Sequence, residues 1–453
     1  PMKRLIMVAT MAFLTFSRPL YGQSEAGAIF LLISPGARAG GMGEAHVAVA
    51  DDAYASFWNP AGLAFLKGSE MALMHVNWLP NLADDMYYEF FAYRKHFPYL
   101  GTLGGHLIYL NLGEQIRMGE SAEDYLGTFT SYMMAFTLSY SSLLSPKSSL
   151  GINAKVSYQH LTEFGAGGEK GKGTSTDFGF DIGYLRKEFL SPNLTIGLTI
   201  TNIGPKVSFI DPAQADPQPT NFTLGFNYAL VNSEFNKLYL VYDVDKLLVA
   251  AYPDMDWDGD GYIGGYDVEG HKSDKNAEYN SDGQHERAHS DPIYIGIFTS
   301  WVDDWLIGGD MDMTRTSSDE YDHIIGGYRW NDVNGNGEID VAEGEMIATE
   351  GEPGVDGWGA YNEYGQKEVG SAKKRTIMNE LDKLVHNVGM EYWYGKYFAL
   401  RAGYYYDKTG KIMNPTFGVG LRFANYGFDF GYTSGEPDHP LANTMRFSIN
   451  MEF

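Results

Sequence analysis

Residues 332–343 arrange oxygen-bearing side chains as a divalent cation of calcium's size needs them. Asp332, Asn334, Asn336, Asp340 and Glu343 stand at positions 1, 3, 5, 9 and 12 of a twelve-residue loop. Gly337 takes the sharp turn, Glu338 can give its backbone carbonyl, and Glu343 can bind through both carboxylate oxygens. A second loop repeats the spacing with Asp256, Asp258 and Asp260, then Gly261 and the carbonyl of Tyr262. It has Gly264 at the usual water-mediated position and the shorter Asp267 at the end. The bland alternative is an ordinary solvated acidic turn, which is what acidic runs usually are. Hard oxygen donors at these offsets favour calcium.

Both loops sit in the most acidic part of the chain. The formal net charge is −25, and removing residues 1–23 deletes Lys3, Arg4 and Arg18 and no acid, leaving −28. Residues 251–291 carry −8 and residues 316–372 carry −11, so two segments hold 19 of those 28 negative charges. A bound cation would offset carboxylate repulsion and order a long Gly-rich loop, so the expected role of Ca2+ is structural. Neither loop has a convincing pair of flanking helices, and both resemble the calcium loops of extracellular dockerin-type modules more than those of intracellular sensors.

Other chemistry is poorly supported. With no cysteine in 453 residues, thiol catalysis, Cys-ligated zinc and disulfide stapling are unavailable. The eleven His are scattered, and no Gly-x-Ser-x-Gly elbow occurs. No catalytic residue, no enzymatic activity and no nucleic-acid partner is expected.

The elements that must carry the acidic segment are strands. Met445, Phe447, Ile449, Met451 and Phe453 alternate with Arg446, Ser448, Asn450 and Glu452 up to the last residue. In a strand of period two the first set shares one face, toward lipid, and the second faces a wet lumen, as in an outer-membrane β-barrel. Similar alternation recurs in Ile152-Ala154-Val156-Tyr158, Phe178-Phe180-Ile182-Tyr184, Leu194-Ile196-Leu198-Ile200, Phe222-Leu224-Phe226-Tyr228 and Phe417-Val419-Leu421-Phe423. Aromatics at 15% suit two interfacial girdles. Lys3-Arg4, the apolar run Leu5 to Phe16 and a small-residue exit near Gly22-Gln23 read as a secretory signal peptide over residues 1–23.

Connections alternate in length. Ala424-Asn425 and Gly395-Lys396 are tight, whereas Gly435 to Asn443 and the excursion from about Ala250 are long. Short turns belong in the periplasm and long loops outside, which sends residues 250–383 to the exterior. Counting from Ser69 gives about sixteen strands; if Pro292 to Ser300 with Trp305 to Met313 is surface structure, fourteen remain. The division expected is a hatch over 24–68, a transmembrane barrel over 69–249 and 384–453, and an extracellular acidic insertion over 250–383.

The segment Phe30-Leu31-Leu32-Ile33-Ser34-Pro35-Gly36-Ala37-Arg38-Ala39-Gly40-Gly41-Met42-Gly43, with Val47 to Ala53 and Phe57-Trp58-Asn59-Pro60-Ala61-Gly62-Leu63, resembles the PorV/PorQ family of outer-membrane proteins, within the FadL-like superfamily. The similarity continues at Asn77-Trp78-Leu79-Pro80 and Asp84-Asp85, and returns at Asn387 to Tyr394 and Leu400 to Tyr404. The resemblance implies fourteen strands and a Gly-rich segment folded into the lumen as a hatch, with Asn59 and Pro60 as its turn. It further implies a type IX secretion component that binds the translocon barrel and secreted cargo proteins and passes cargo to the surface. The competing expectation is a FadL-like channel for hydrophobic compounds, whose path Met133-Met134 and the Gly-rich strands could line. Met and Gly in a barrel wall are more often packing.

The calcium loops are separately testable. Occupied by calcium at roughly 100-fold over Kd, a site stabilises the fold by about 2.7 kcal/mol, so chelation should lower Tm and Asp332→Ala with Asp256→Ala should abolish that response. A Tm indifferent to both removes the assignment.

Overall fold

In the computed structural model the described residues are 26–118, 125–162, 173–209, 215–252, 289–303, 377–435 and 441–453, with the short pieces 328–330, 346–348, 358–361 and 367–369. The leader at 1–23 and both candidate calcium loops lie outside them.

Fourteen antiparallel strands close into one barrel. They are β1 (Ser69–Asn77), β2 (Tyr87–Phe97), β3 (Gly101–Met118), β4 (Tyr125–Ser145), β5 (Ser148–Thr162), β6 (Gly173–Arg186) and β7 (Leu194–Ile203). After these come β8 (Asn221–Asn232), β9 (Asn236–Leu247), β10 (Val385–Tyr394), β11 (Phe398–Asp407), β12 (Ile412–Phe423), β13 (Tyr426–Thr433) and β14 (Thr444–Glu452). Each strand pairs with its neighbour in this order, β9 with β10 across the insertion, and β14 closes on β1 with Met71 opposite Met451 and His75 opposite Phe447. Closure leaves no unpaired edge, which is the condition for carrying backbone amides through lipid. Among the described residues no helix is long and apolar enough to cross a membrane.

The period-two pattern translates directly into sidedness. Met445, Phe447 and Ile449 are exposed on the outer face, while Arg446, Ser448 and Asn450 are buried inside. Ile152, Phe178, Phe180, Ile182, Phe417 and Leu421 are exposed in the same way, and Asn153, Asp177, Asp181 and Thr416 are buried. Polar side chains are therefore more buried than large apolar ones, the reverse of a water-soluble domain.

The tight connections at Gly395-Lys396 and Ala424-Asn425 lie at one end of the barrel, together with the start of β1 and the end of β14. Gly395 has φ +60, a backbone region open to glycine without a Cβ penalty. Of the two strand counts left open by the sequence, the smaller holds: Ile293–Thr299 form an α-helix outside the wall. Pro292 has no amide proton for a sheet ladder and initiates a helix readily, and Ile295 and Gly296 both donate to its carbonyl. The raw count of sixteen strands thus falls to fourteen; the proposed partner at 305–313 lies outside the described residues.

A charge on the lipid face tests this placement. Phe417→Arg, in the middle of β12, should cost about 2–4 kcal/mol in reversible unfolding from vesicles. Indifference to that substitution would contradict lipid contact there.

Candidate functional site

The lumen is filled by residues 26–65. This hatch consists of a 3-10 turn over Ile29–Leu32, helix α1 (Ala37–Gly40), helix α2 (Ala55–Trp58) and a 3-10 turn over Pro60–Phe65. Phe30, Tyr54 and Trp58 pack with Met74, Val76, Tyr88, Phe90, Ile108 and Leu110 of β1–β3 to make the largest apolar core, with Phe57 and Met133 against it. The core of this protein is thus between hatch and wall, inside the barrel.

Asn59 is fully buried and holds three parts of the lumen together. Its Oδ1 accepts from Ala61 N at 3.1 Å, capping the Pro60 turn, and its Nδ2 donates to Val47 O and Tyr184 O, each at 3.1 Å. Pro60 at the first position supplies the fixed φ that such a turn start requires.

Opposite the apolar core, the wall contacts the hatch through glycine. Four cross-strand pairs, Gly151–Gly183, Gly197–Gly225, Gly389–Gly403 and Gly418–Gly431, face inward on β5–β8 and β10–β13. A Cβ on Gly151 or Gly183 would come within 3.0 Å of Asn59, Pro60 or Ala61. One on Gly197 or Gly225 would strike Val47 or Ala48, one on Gly389 or Gly403 would strike Met42 or Gly43, and one on Gly431 would strike Ala37. At the last pair, a Cβ on Gly41 would lie 2.8 Å from Gly418 Cα. Backbone approach this close is possible only where the wall has no side chain.

Charged groups complete the attachment. Arg38 forks onto Glu391 of β10, Nε to Oε1 at 2.8 Å and Nη2 to Oε2 at 2.9 Å, while its Nη1 donates to Asp51 at 2.6 Å and Asp52 at 3.2 Å. Glu391 also accepts from Arg401 Nε at 2.8 Å, and Arg401 and Arg422 converge on Asp429 at 2.8 and 2.9 Å. Asp243 of β9 caps the hatch chain by accepting from His46 N and Val47 N at 2.7 and 2.8 Å. Burial pushes the Asp52 carboxyl up, but His46 and Arg38 outweigh it and hold the group well below the usual carboxylate range. His46, Asp51 and Asp52 bring one imidazole and two carboxylates together, as a metal site would. The Arg38 guanidinium already bridges both carboxylates and takes the place of a cation.

Two chambers lie on either side of the hatch and share no lining residue. The one at the long-loop end has a volume of about 380 Å³, with Leu31, Leu32, Phe57 and Trp58 as an apolar floor and Lys155, Asp181 and Asp245 in its wall. Those charges are satisfied: Lys155 donates to Asp181 at 3.1 Å and to Asn202 at 2.5 Å. The one at the tight-turn end, about 500 Å³, is polar and includes Asp51, Lys237, Lys396, Arg422 and Glu452.

Sequence reading singled out Asn59 and Pro60 but not Arg38, Glu391, Arg401 or Asp429. The inward glycines left a legible trace as isolated Gly in otherwise regular strands; the ion pairs left none, since 353 positions separate Arg38 from Glu391. Asp256, Asp258, Asp260, Tyr262, Asp267, Asp332, Asn334, Asn336, Glu338, Asp340 and Glu343 all lie outside the described residues.

The family described as type IX secretion system protein PorV matches residues 23–254, which span the hatch and the first nine strands. The chain belongs to the PorV family. Solved structures similar to this PorV-family barrel include the Ralstonia pickettii toluene transporter TbuX, at 12% identity over 94% of this chain and 100% of that one, with a TM-score of 0.43. The Pseudomonas putida toluene transporter TodX follows at 11% identity, 92% and 96% coverage and TM-score 0.42. A Pseudomonas aeruginosa FadL homologue has 10% identity, 92% and 98% coverage and TM-score 0.39. Likeness at this level carries nothing about what the present chain binds. Among curated proteins none matches it.

Two substitutions test how the hatch is held. Glu391→Ala leaves Arg38 and Arg401 buried without their shared partner and should cost about 3–5 kcal/mol. Gly403→Val should leave a folded, heat-modifiable barrel whose hatch is open to protease, whereas Ala402→Val, on the other face of the same strand, should stay resistant. Equal resistance in both would show that the glycine contact does not seat the hatch.

Proposed function

We propose that this barrel serves type IX secretion, binding exported cargo or the translocon at its rim and handing cargo to the cell surface. The observation that carries the reading is the fastened hatch: backbone contacts at four glycine pairs and a buried ion-pair chain occupy the lumen. A passage for solute would require breaking several of these at once. Work done by a sealed barrel falls to its exposed ends and loops, which suits capture and release of protein by differential affinity.

In this reading the tight turns face the periplasm and residues 250–383 face the exterior. The acidic insertion, ordered by Ca2+ at 256–267 and 332–343, is then the most exposed surface offered to partners. Membership of the PorV family supports the secretion assignment.

A second reading has one specific observation in its favour. The chamber above Leu31, Leu32, Phe57 and Trp58 has an apolar floor and the size of a small-ligand site, which would suit uptake of hydrophobic compounds.

Deletion of the gene separates the two. Under the secretion reading, cargo accumulates in the periplasm and native purification recovers a large barrel partner or secreted proteins; intact secretion in the deletion strain rejects it. Under the uptake reading, secretion is normal and growth on a hydrophobic carbon source fails.

A further inference from the structure

Two short helices at the long-loop rim have inverted polarity. They are α3 (Ile293–Thr299) and α4 (Ile377–Asp382), which flank the insertion where it leaves and re-enters the barrel. Of the charged groups on and beside them, Glu380 of α4 is buried and accepts from Lys246 of β9 at 3.2 Å, Asp303 just past α3 is buried and accepts from Lys383 at 3.2 Å, and Asp382 at the end of α4 pairs with Lys408 at the surface. Large apolar groups on and beside the two helices are exposed. Phe298 is 73% exposed and Tyr294 70%, and Trp301, Ile377, Met378 and Leu381 are exposed with them. In water this arrangement is unfavourable, since each exposed aromatic forgoes the free energy of burial.

The collar is continuous with the lipid-facing wall. Trp301 meets the Phe222 ring edge-on, with centroids 5.6 Å apart and planes at 74°. Phe222 heads the outward face of β8, followed by Leu224, Phe226 and Tyr228, opposite the inward Thr223 and Gly225. The helix rests on the chain leaving β9: Asp291 N donates to Ala250 O at 2.9 Å, Thr299 Oγ1 donates to Asp291 at 2.8 Å, and a Cβ on Gly296 would lie in van der Waals contact, 3.7 Å from Ala250 N and Leu248 O. Aromatic side chains at the end of a lipid-facing strand, backed by satisfied charges, match the composition of a membrane interface.

We propose that α3 and α4 form an interfacial collar whose partner is lipid, lying in the headgroup and upper acyl region of the outer leaflet. The collar anchors both ends of the acidic insertion to the membrane surface and fixes the height at which the insertion begins. It rests on the outer-membrane placement of the barrel.

The absence of cysteine permits single-site spin labelling without background changes. Phe298→Cys and Met378→Cys, each nitroxide-labelled, are reconstituted in phospholipid vesicles and compared for collision with oxygen and with a water-soluble nickel chelate. Phe417→Cys serves as the wall reference and Lys396→Cys as the aqueous one. The expected result is an oxygen-to-nickel ratio at both collar sites close to that at Phe417→Cys and several-fold above that at Lys396→Cys. A ratio equal to that at Lys396→Cys overturns the proposal, as does lipid exposure in vesicles that is lost in native membranes, where a protein would then cover the collar. An aqueous ratio at Phe417→Cys would instead overturn the membrane placement itself. Heat-modifiable migration of each variant confirms that the barrel is folded.

Discussion

The structure depends on the closeness with which a strand wall can admit a second backbone. Inward side chains normally keep a barrel's contents at side-chain distance. Here four glycine pairs remove that spacing on eight strands, and the hatch backbone takes the freed volume. At these contacts the approach leaves no room for water, and it fixes the position of a segment that has little regular structure. Its amides are satisfied by wall groups such as Asp243, Thr416 and Ser448 rather than by long helices.

The lumen divides into two kinds of adhesion. Against β1–β3 the hatch uses aromatic and aliphatic packing, which is strong and non-directional; against the remaining strands it uses glycine contact and ion pairs, which are directional and set register. Arg38, Glu391, Arg401, Asp429 and Arg422 form an alternating chain in which each buried charge has an opposite neighbour. Such a chain adds little net stability over apolar packing, yet no single member can be removed cheaply. It therefore specifies where the hatch sits more than how tightly it holds.

The hatch divides the lumen into a chamber at each end of the barrel. Within the described residues the buried charges of the chamber at the long-loop end are held by ion pairs or hydrogen bonds, and the rim there bears both exposed apolar helices and the roots of the acidic insertion.

The sequence by itself determined the strands, their sidedness and the parity of their connections, because alternation has a period of two residues and is complete within each strand. Phe447 and Ser448 could be assigned to opposite faces with no knowledge of the partner strand. The twelve-residue oxygen spacing at 332–343 is legible for the same local reason. The bend at Asn59-Pro60 is equally local, although its place in the lumen came from family resemblance. Tertiary structure alone decided that Arg38 finds Glu391, that Gly403 faces Met42, and that 293–299 coils into a helix against the chain after β9. The first two join elements hundreds of residues apart, and the third depends on packing that opposes a strand-like local pattern. A short apolar run reads the same in either conformation until its neighbours are in place.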